Sequence, residues 1–117
     1  VRAGRNGHFT VTASVNGQPV DFLVDTGASD IVLSPADARR LGYDPDHLSF
    51  TQQYMTANGI GRGAPIRIDS LAVGSIRFED LPASVNESEM SESLLGMTFL
   101  RRLESYEVRR DLLILRR

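Results

Sequence analysis

The sequence predicts an all-β domain: a small, closed, barrel-like unit of short strands with one or two short helices. Three observations lead there. Apolar residues alternate with polar ones at Phe9-Val11-Ala13-Val15 and again at Val20-Phe22-Val24, the period-two pattern of strands with one buried face. Turn-forming pairs punctuate the strands, at Asn16-Gly17, Asn58-Gly59 and Gly74-Ser75, where tight hairpins belong. Helix signals occur in only two short segments, too few for a layered α/β architecture.

The elements follow in order. Asn16-Gly17 joins the first two strands, and the second ends at Asp25. Ile31-Val32-Leu33 is a short buried strand. Ser34-Pro35-Ala36-Asp37 opens a helix of about two turns: serine caps, proline suits the first turn, and an acid favours the positive end. Gly42 stops it, and 43–50 reads as a loop. Residues 51–64, TQQYMTANGIGRGA, form a second hairpin with Asn58-Gly59 at its tip. Its Gly61 and Gly63 make one arm pliable. A separate strand is expected from Pro65 to Val73, turned by Gly74-Ser75 and answered by Ile76 to Val85. Residues 86–93 are polar and acidic, a solvated surface loop. Leu94-Leu95-Gly96 is an abrupt apolar run before a short helix over about 97–103. Two closing strands, Tyr106–Val108 and Leu112–Leu115, flank Arg109-Arg110-Asp111.

The 117 residues suit one domain, 1–117, without repeat, linker or low-complexity segment. With 41% hydrophobic residues the chain can bury a modest core. The formal net charge is −2, and the thirteen basic residues are all arginine, scattered rather than striped; nucleic acid is not the expected partner. There is no cysteine, which excludes disulfides, a thiolate nucleophile and a cysteine zinc site. His8 and His47 lie far apart without acids at a familiar ligand spacing, and read as surface histidines. No metal and no cofactor are expected. No stretch approaches the eighteen or so apolar residues of a membrane span. The first residue is Val1 rather than methionine, so a trimmed piece of a longer protein is expected.

One acid is placed against the grain of its surroundings. In FLVDTGASDIVLS, residues 22–34, Asp25 stands between two apolar runs, and a buried unpaired charge is expensive. Asp25-Thr26-Gly27 occurs once, with no second copy and no Asp-Ser-Gly. The remaining aspartates lack such a setting.

LVDTGASDIVL, the hairpin YMTANGIGRG and the late LLGMTFL together resemble the retropepsin-like aspartic proteases, in the family order and over about residues 8 to 115. The similarity is greatest to bacterial single-domain members, often membrane-anchored. The resemblance implies one barrel-like half of an acid protease that assembles as a homodimer. Asp25 and its symmetry mate would form the catalytic dyad, since one chain supplies one such acid. Two carboxylates sharing a proton can activate water and protonate the carbonyl oxygen. Thr26 matches a threonine that bonds across the dimer, and Gly27 a glycine that admits the substrate backbone. Ala28 cannot donate a hydroxyl to the carboxylates, which implies activity from mildly acidic to near-neutral pH. The hairpin at 52–63 would be a flap closing over substrate. Ala28, Ser29, Tyr54, Met55, Thr56 and Ile60 would contact substrate, with Leu94 and Leu95 behind the dyad. The substrate would be an extended peptide or protein, held by backbone hydrogen bonds.

Two departures stand out. Viral members often carry aspartate where this chain has Ser29, paired with an arginine where it has Gly96-Met97-Thr98. The viral pattern of subunit contacts is therefore not carried over, and Leu112–Leu115 is the expected route of dimer assembly. The expected activity is aspartic endopeptidase, tethered on the periplasmic side of a bacterial inner membrane by resemblance alone. The alternatives are a catalytically weak peptide-binding or dimerisation module of the same fold, and a latent self-processing protease.

Overall fold

A computed structural model describes residues 9–56, 59–103, 105–109 and 112–116. His8, Asn58 at the expected hairpin tip and the expected Arg110-Asp111 turn lie outside that set, as do the side chains of Met55 and Thr56. β1 (Thr10–Val15) and β2 (Gln18–Val24) form the first hairpin, in register from Thr10↔Leu23 to Val15↔Gln18. Asn16 and Gly17 both have positive φ, 50° and 85°, the turn whose twist matches that of paired strands. Asn16 is also a tie point. Its side-chain oxygen accepts the amides of Asp69 and Ser70, at 2.9 and 3.1 Å. Its side-chain nitrogen donates to the Tyr43 hydroxyl at 3.0 Å.

β3 (Ile31–Leu33) is buried throughout. α1 (Pro35–Leu41) begins as expected: the Ser34 hydroxyl accepts the Asp37 amide at 3.1 Å, and Gly42, at φ 93°, ends the helix. The expected loop over 43–50 holds a single 3₁₀ turn, Pro45–His47, capped by Asp44.

β4 (Gln52–Thr56) pairs with β5 (Gly59–Val73) from Gln52↔Gly63 to Thr56↔Gly59. Here the fold departs from the expectation of two separate strands, because β5 is one continuous fifteen-residue strand. Pro65 lies beyond the last β4 partner, where one edge of β5 is open, the setting in which a strand accommodates proline. β6 (Ile76–Asn86) returns along β5. β7 (Ser93–Leu95) is only three residues long, and α2 (Met97–Leu100) is shorter than the expected 97–103. Beyond α2 the chain continues in tighter turns, with Arg102 and Leu103 amides bonding Phe99 and Leu100 carbonyls.

The strand order is β1-β2-β7-β3-β6-β5-β4, and an extra β1–β5 pairing closes six strands into a barrel, leaving β4 outside. β7 inserts between β2 and β3, parallel to β2 and antiparallel to β3. Phe22, Ile31, Leu33, Ile68, Leu71 and Leu95 fill the interior, with Phe99 of α2 meeting Phe78 edge-on at 5.8 Å. β8 (Ser105–Arg109) and β9 (Leu112–Arg116) form a separate two-stranded sheet, docked through Leu115 on the core.

Candidate active site

β2 and β3 both border β7, so the chain between them, residues 25–30, must cross the end of β7. That crossing positions the acid. The Asp25 amide donates to the Leu95 carbonyl at 3.1 Å, and the Ala28 amide donates to the Asp25 carbonyl at 3.1 Å, closing a tight turn. On the far side, the Met97 amide donates to the Ala28 carbonyl at 2.9 Å and the Thr98 amide to the Ser29 carbonyl at 2.7 Å. The Thr98 hydroxyl donates to the same Ser29 carbonyl, also at 2.7 Å. The two positions that lack an acid–arginine pair are thus joined by a threonine hydroxyl and backbone.

Gly96 is what lets the loop pass so close. A Cβ there would lie 2.4 Å from the Asp30 carbonyl oxygen and 2.7 Å from that of Ala28. Its φ of −95° suits any residue, so the requirement is one of space alone.

Asp25 is half-buried at the mouth of a cleft of about 440 Å³. One carboxylate oxygen accepts the Gly27 amide at 2.9 Å; the other takes no hydrogen bond from a described residue. Gly27 is exposed, and a Cβ on it would press the same oxygen at 3.2 Å. Thr26 is exposed at the turn. Ala28, Ser29 and Leu94 line the cleft with Asp25 and Gly27.

The remaining expected site residues divide. Tyr54 reaches the cleft from β4, its hydroxyl donating to the Asn86 side-chain oxygen and to the Arg62 carbonyl, the latter at 3.2 Å. Burial raises the Tyr54 ionisation above its ordinary value, and the negative charges of Asp30 and Glu87 push the same way. Ile60 is 68% exposed on the β5 arm and does not line the cleft. Leu95, expected with Leu94, points into the core at 0% exposure; its contribution at the site is the carbonyl that holds the Asp25 amide.

Four cleft residues escaped the sequence reading: Asp30, Val32, Asn86 and Met90. Met90 had a signal, being the one apolar residue in the acidic run NESEMSES. Asn86 had none, since its role depends on Tyr54 from another strand. Among the described residues no group of three or more His, Asp or Glu side chains converges to hold a metal ion.

The sequence matches the model of the family described as "gag-polyprotein putative aspartyl protease" over residues 11–102. It is 43% identical over 110 residues to an uncharacterized protein of Rickettsia prowazekii (strain Madrid E), covering 94% of this chain and 47% of that protein. It is 44% identical over 112 residues to an uncharacterized Sinorhizobium protein from the cobV 5′ region, covering 95% of this chain and 48% of that one. The chain therefore spans about half the length of the curated relatives it matches. Among solved structures, a retropepsin-like aspartic protease from Rickettsia conorii superposes with a TM-score of 0.90 at 42% identity, over 98% of this chain and 86% of that one. EIAV protease in complex with the inhibitor HBY-793 superposes at 0.73 with 20% identity, over 93% and 100% of the two chains. The retroviral protease-like domain of Ddi1 from Leishmania major superposes at 0.66 with 16% identity, over 92% and 87%; these last two share the fold.

Proposed function

Because this chain belongs to the retropepsin-like aspartic protease family, we propose that it is an aspartic endopeptidase whose dyad is Asp25 from each of two copies. The observation that carries this reading is the placement of Asp25. It sits half-buried at an open cleft mouth, with one oxygen held by the Gly27 amide and the other free of described partners. A lone carboxylate does not hydrolyse an amide readily. Two of them meeting at a two-fold axis would share one proton, the arrangement for which aspartic proteases are the type case. The ionised member then accepts a proton from water as the water oxygen bonds the scissile carbon. The protonated member gives its proton to the carbonyl oxygen. The carboxyl that took the water's proton then passes it to the scissile nitrogen, a hydroxyl of the tetrahedral species returns its proton to the other carboxylate, and collapse breaks the C–N bond to release an acid and an amine.

The β4–β5 hairpin serves as the flap, with Tyr54, Met55, Thr56 and Ile60 toward substrate. Gly27, Ala28, Ser29 and Leu94 form the floor, and Thr26 contacts the second subunit. An extended peptide lies between. A membrane tether and a periplasmic setting belong to this proposal on the family resemblance alone. Among the described residues no helix is long and apolar enough to cross a membrane.

The test is cleavage of casein, an unstructured protein, over about pH 4 to 8 by the wild type and by Asp25→Ala at several enzyme concentrations. Loss of activity in the variant, with wild-type activity falling faster than linearly on dilution, supports a shared dyad. Equal cleavage by both proteins overturns the assignment. Peptide binding without cleavage by either identifies a binding module.

A further inference from the structure

We propose that Asp37 and Ser93 are positioning residues for Asp25, acting through the three residues of β7. The inference rests on the reading of Asp25 as catalytic and extends the site to groups outside the cleft.

β2 and β7 run parallel, in register from Phe22↔Ser93 to Val24↔Leu95. Their forward ends carry Asp25 and Gly96, and their rear ends converge on one carboxylate. Ser93 is fully buried. Its hydroxyl accepts the Ser34 amide at 3.0 Å and donates to one oxygen of Asp37 at 2.6 Å. The other Asp37 oxygen accepts Arg40 at 2.9 Å, and Arg40 reaches on to the Pro19 carbonyl, in β2, at 2.8 Å. The rear of β7, the start of β2 and the first turn of α1 are thus fastened together. Burial pushes the Asp37 carboxyl up, but the hydrogen bonds from Ser93, Arg40 and Ser34 outweigh it and hold the group below its ordinary range. Asp37 is therefore ionised, and the fastening intact, at the pH where such an enzyme works.

An extended strand cannot shorten, and Ser93 and Leu95 are about 7 Å apart along it. A displacement at Ser93 therefore arrives at the Leu95 carbonyl, which holds the Asp25 amide, and at Gly96, which has no room to give. Ser34 and Asp37 serve as an ordinary helix cap as well; the contact with Ser93 is what couples that cap to the site.

The test uses the whole chain, with Ser93→Ala, Asp37→Ala and the conservative Asp37→Asn, which keeps an acceptor for the Ser93 hydroxyl. Amide hydrogen exchange is read at Asp25 and, as a reference for global stability, in the β5–β6 hairpin. The values of kcat and KM are measured with a casein-derived peptide that the wild type cleaves. The expected result is an Asp25 amide accelerated about tenfold more than the β5–β6 amides in both alanine variants, the smaller β5–β6 acceleration reporting the global stability lost with the contact. In the same variants kcat falls about tenfold with KM within about twofold, and Asp37→Asn recovers most of the loss. Unchanged Asp25 exchange and kcat overturn the proposal. So does an acceleration shared equally by the β5–β6 amides, which marks a merely structural role. Asp25→Asn is measured alongside: if it cleaves like the wild type, the catalytic reading fails, while the exchange data still decide whether Asp37 and Ser93 hold the Asp25 turn.

Discussion

Replacing Gly96 by alanine should damage catalysis more than stability. The new Cβ would sit 2.4 Å from the Asp30 carbonyl oxygen, against an ordinary contact of at least 3.4 Å, so atoms must separate by about 1 Å. Both neighbours are backbone, and both belong to the turn that carries Asp25. Overpacking of this kind costs about 1–3 kcal/mol, a fall in Tm of roughly 4–15 °C for a domain of this size. A displacement of about 1 Å at a reacting group costs on the order of 100-fold in rate. The assay pairs thermal unfolding with kcat/KM on a casein-derived peptide, measured well below the lower Tm. Gly17→Ala is the control. A Cβ there meets nothing within 4 Å, but its φ of +85° costs an alanine about 1–2 kcal/mol, far from the cleft. It should lower Tm and leave kcat alone. A Gly96→Ala variant with wild-type kcat, or one whose rate loss is matched by Gly17→Ala at equal Tm, refutes the reasoning.

Tyr54→Phe removes a hydroxyl that bonds Asn86 and the Arg62 carbonyl; stability should fall by about 0.5–1.5 kcal/mol and KM should rise, as measured by peptide kinetics. Because its ionisation is raised by burial first and then by Asp30 and Glu87, Tyr54 favours the folded state fully below the ordinary tyrosine value, and loses that contribution only as pH rises through its higher folded value. Ultraviolet titration of the wild type should show a late phenol step that Tyr54→Phe lacks. For Asp37 the sign is opposite: its lowered pKa contributes stability above the ordinary carboxylate value, lost as pH falls through the lower folded one. Urea unfolding of wild type and Asp37→Asn should show a constant gap at neutral pH that closes only in strong acid. Asn16→Ala loses the side-chain oxygen that accepts the Asp69 and Ser70 amides and leaves alanine at a positive φ that asparagine tolerates better, so it should lower stability by about 1–2 kcal/mol with little effect on cleavage.

What could be read from the sequence was what is local. The alternation up to Val24, the Asn16-Gly17 turn and the Ser34 cap each depend on residues within one turn or strand, and each stands as expected. Asp25 was legible because an acid between apolar runs is anomalous wherever it falls. β7 was legible only as an apolar run, since three residues show no period; its place between β2 and β3 depends on pairing partners about 70 residues away. For the same reason Leu94 and Leu95 looked alike, although strand alternation sends one to the cleft and the other to the core. Asn86 and Ser93 sat in a stretch that reads as solvated, and their partners, Tyr54 and Asp37, lie on other elements. The continuity of β5 through Pro65 depends on the open strand edge beside it, which no local pattern shows.

The insertion of β7 between β2 and β3 also sets when the Asp25 turn can form. A ribosome delivers Asp25 early and Leu95 about 70 residues later, at roughly 5–20 residues per second. Until then the β2–β3 connection has nothing to cross, the Asp25 amide has no carbonyl to hold it, and the barrel is open along one seam. Pairings of such long separation form slowly, because loop closure precedes their reward. The geometry that holds Asp25 is consequently absent from the nascent chain until β7 emerges, and it is assembled among the last parts of the barrel.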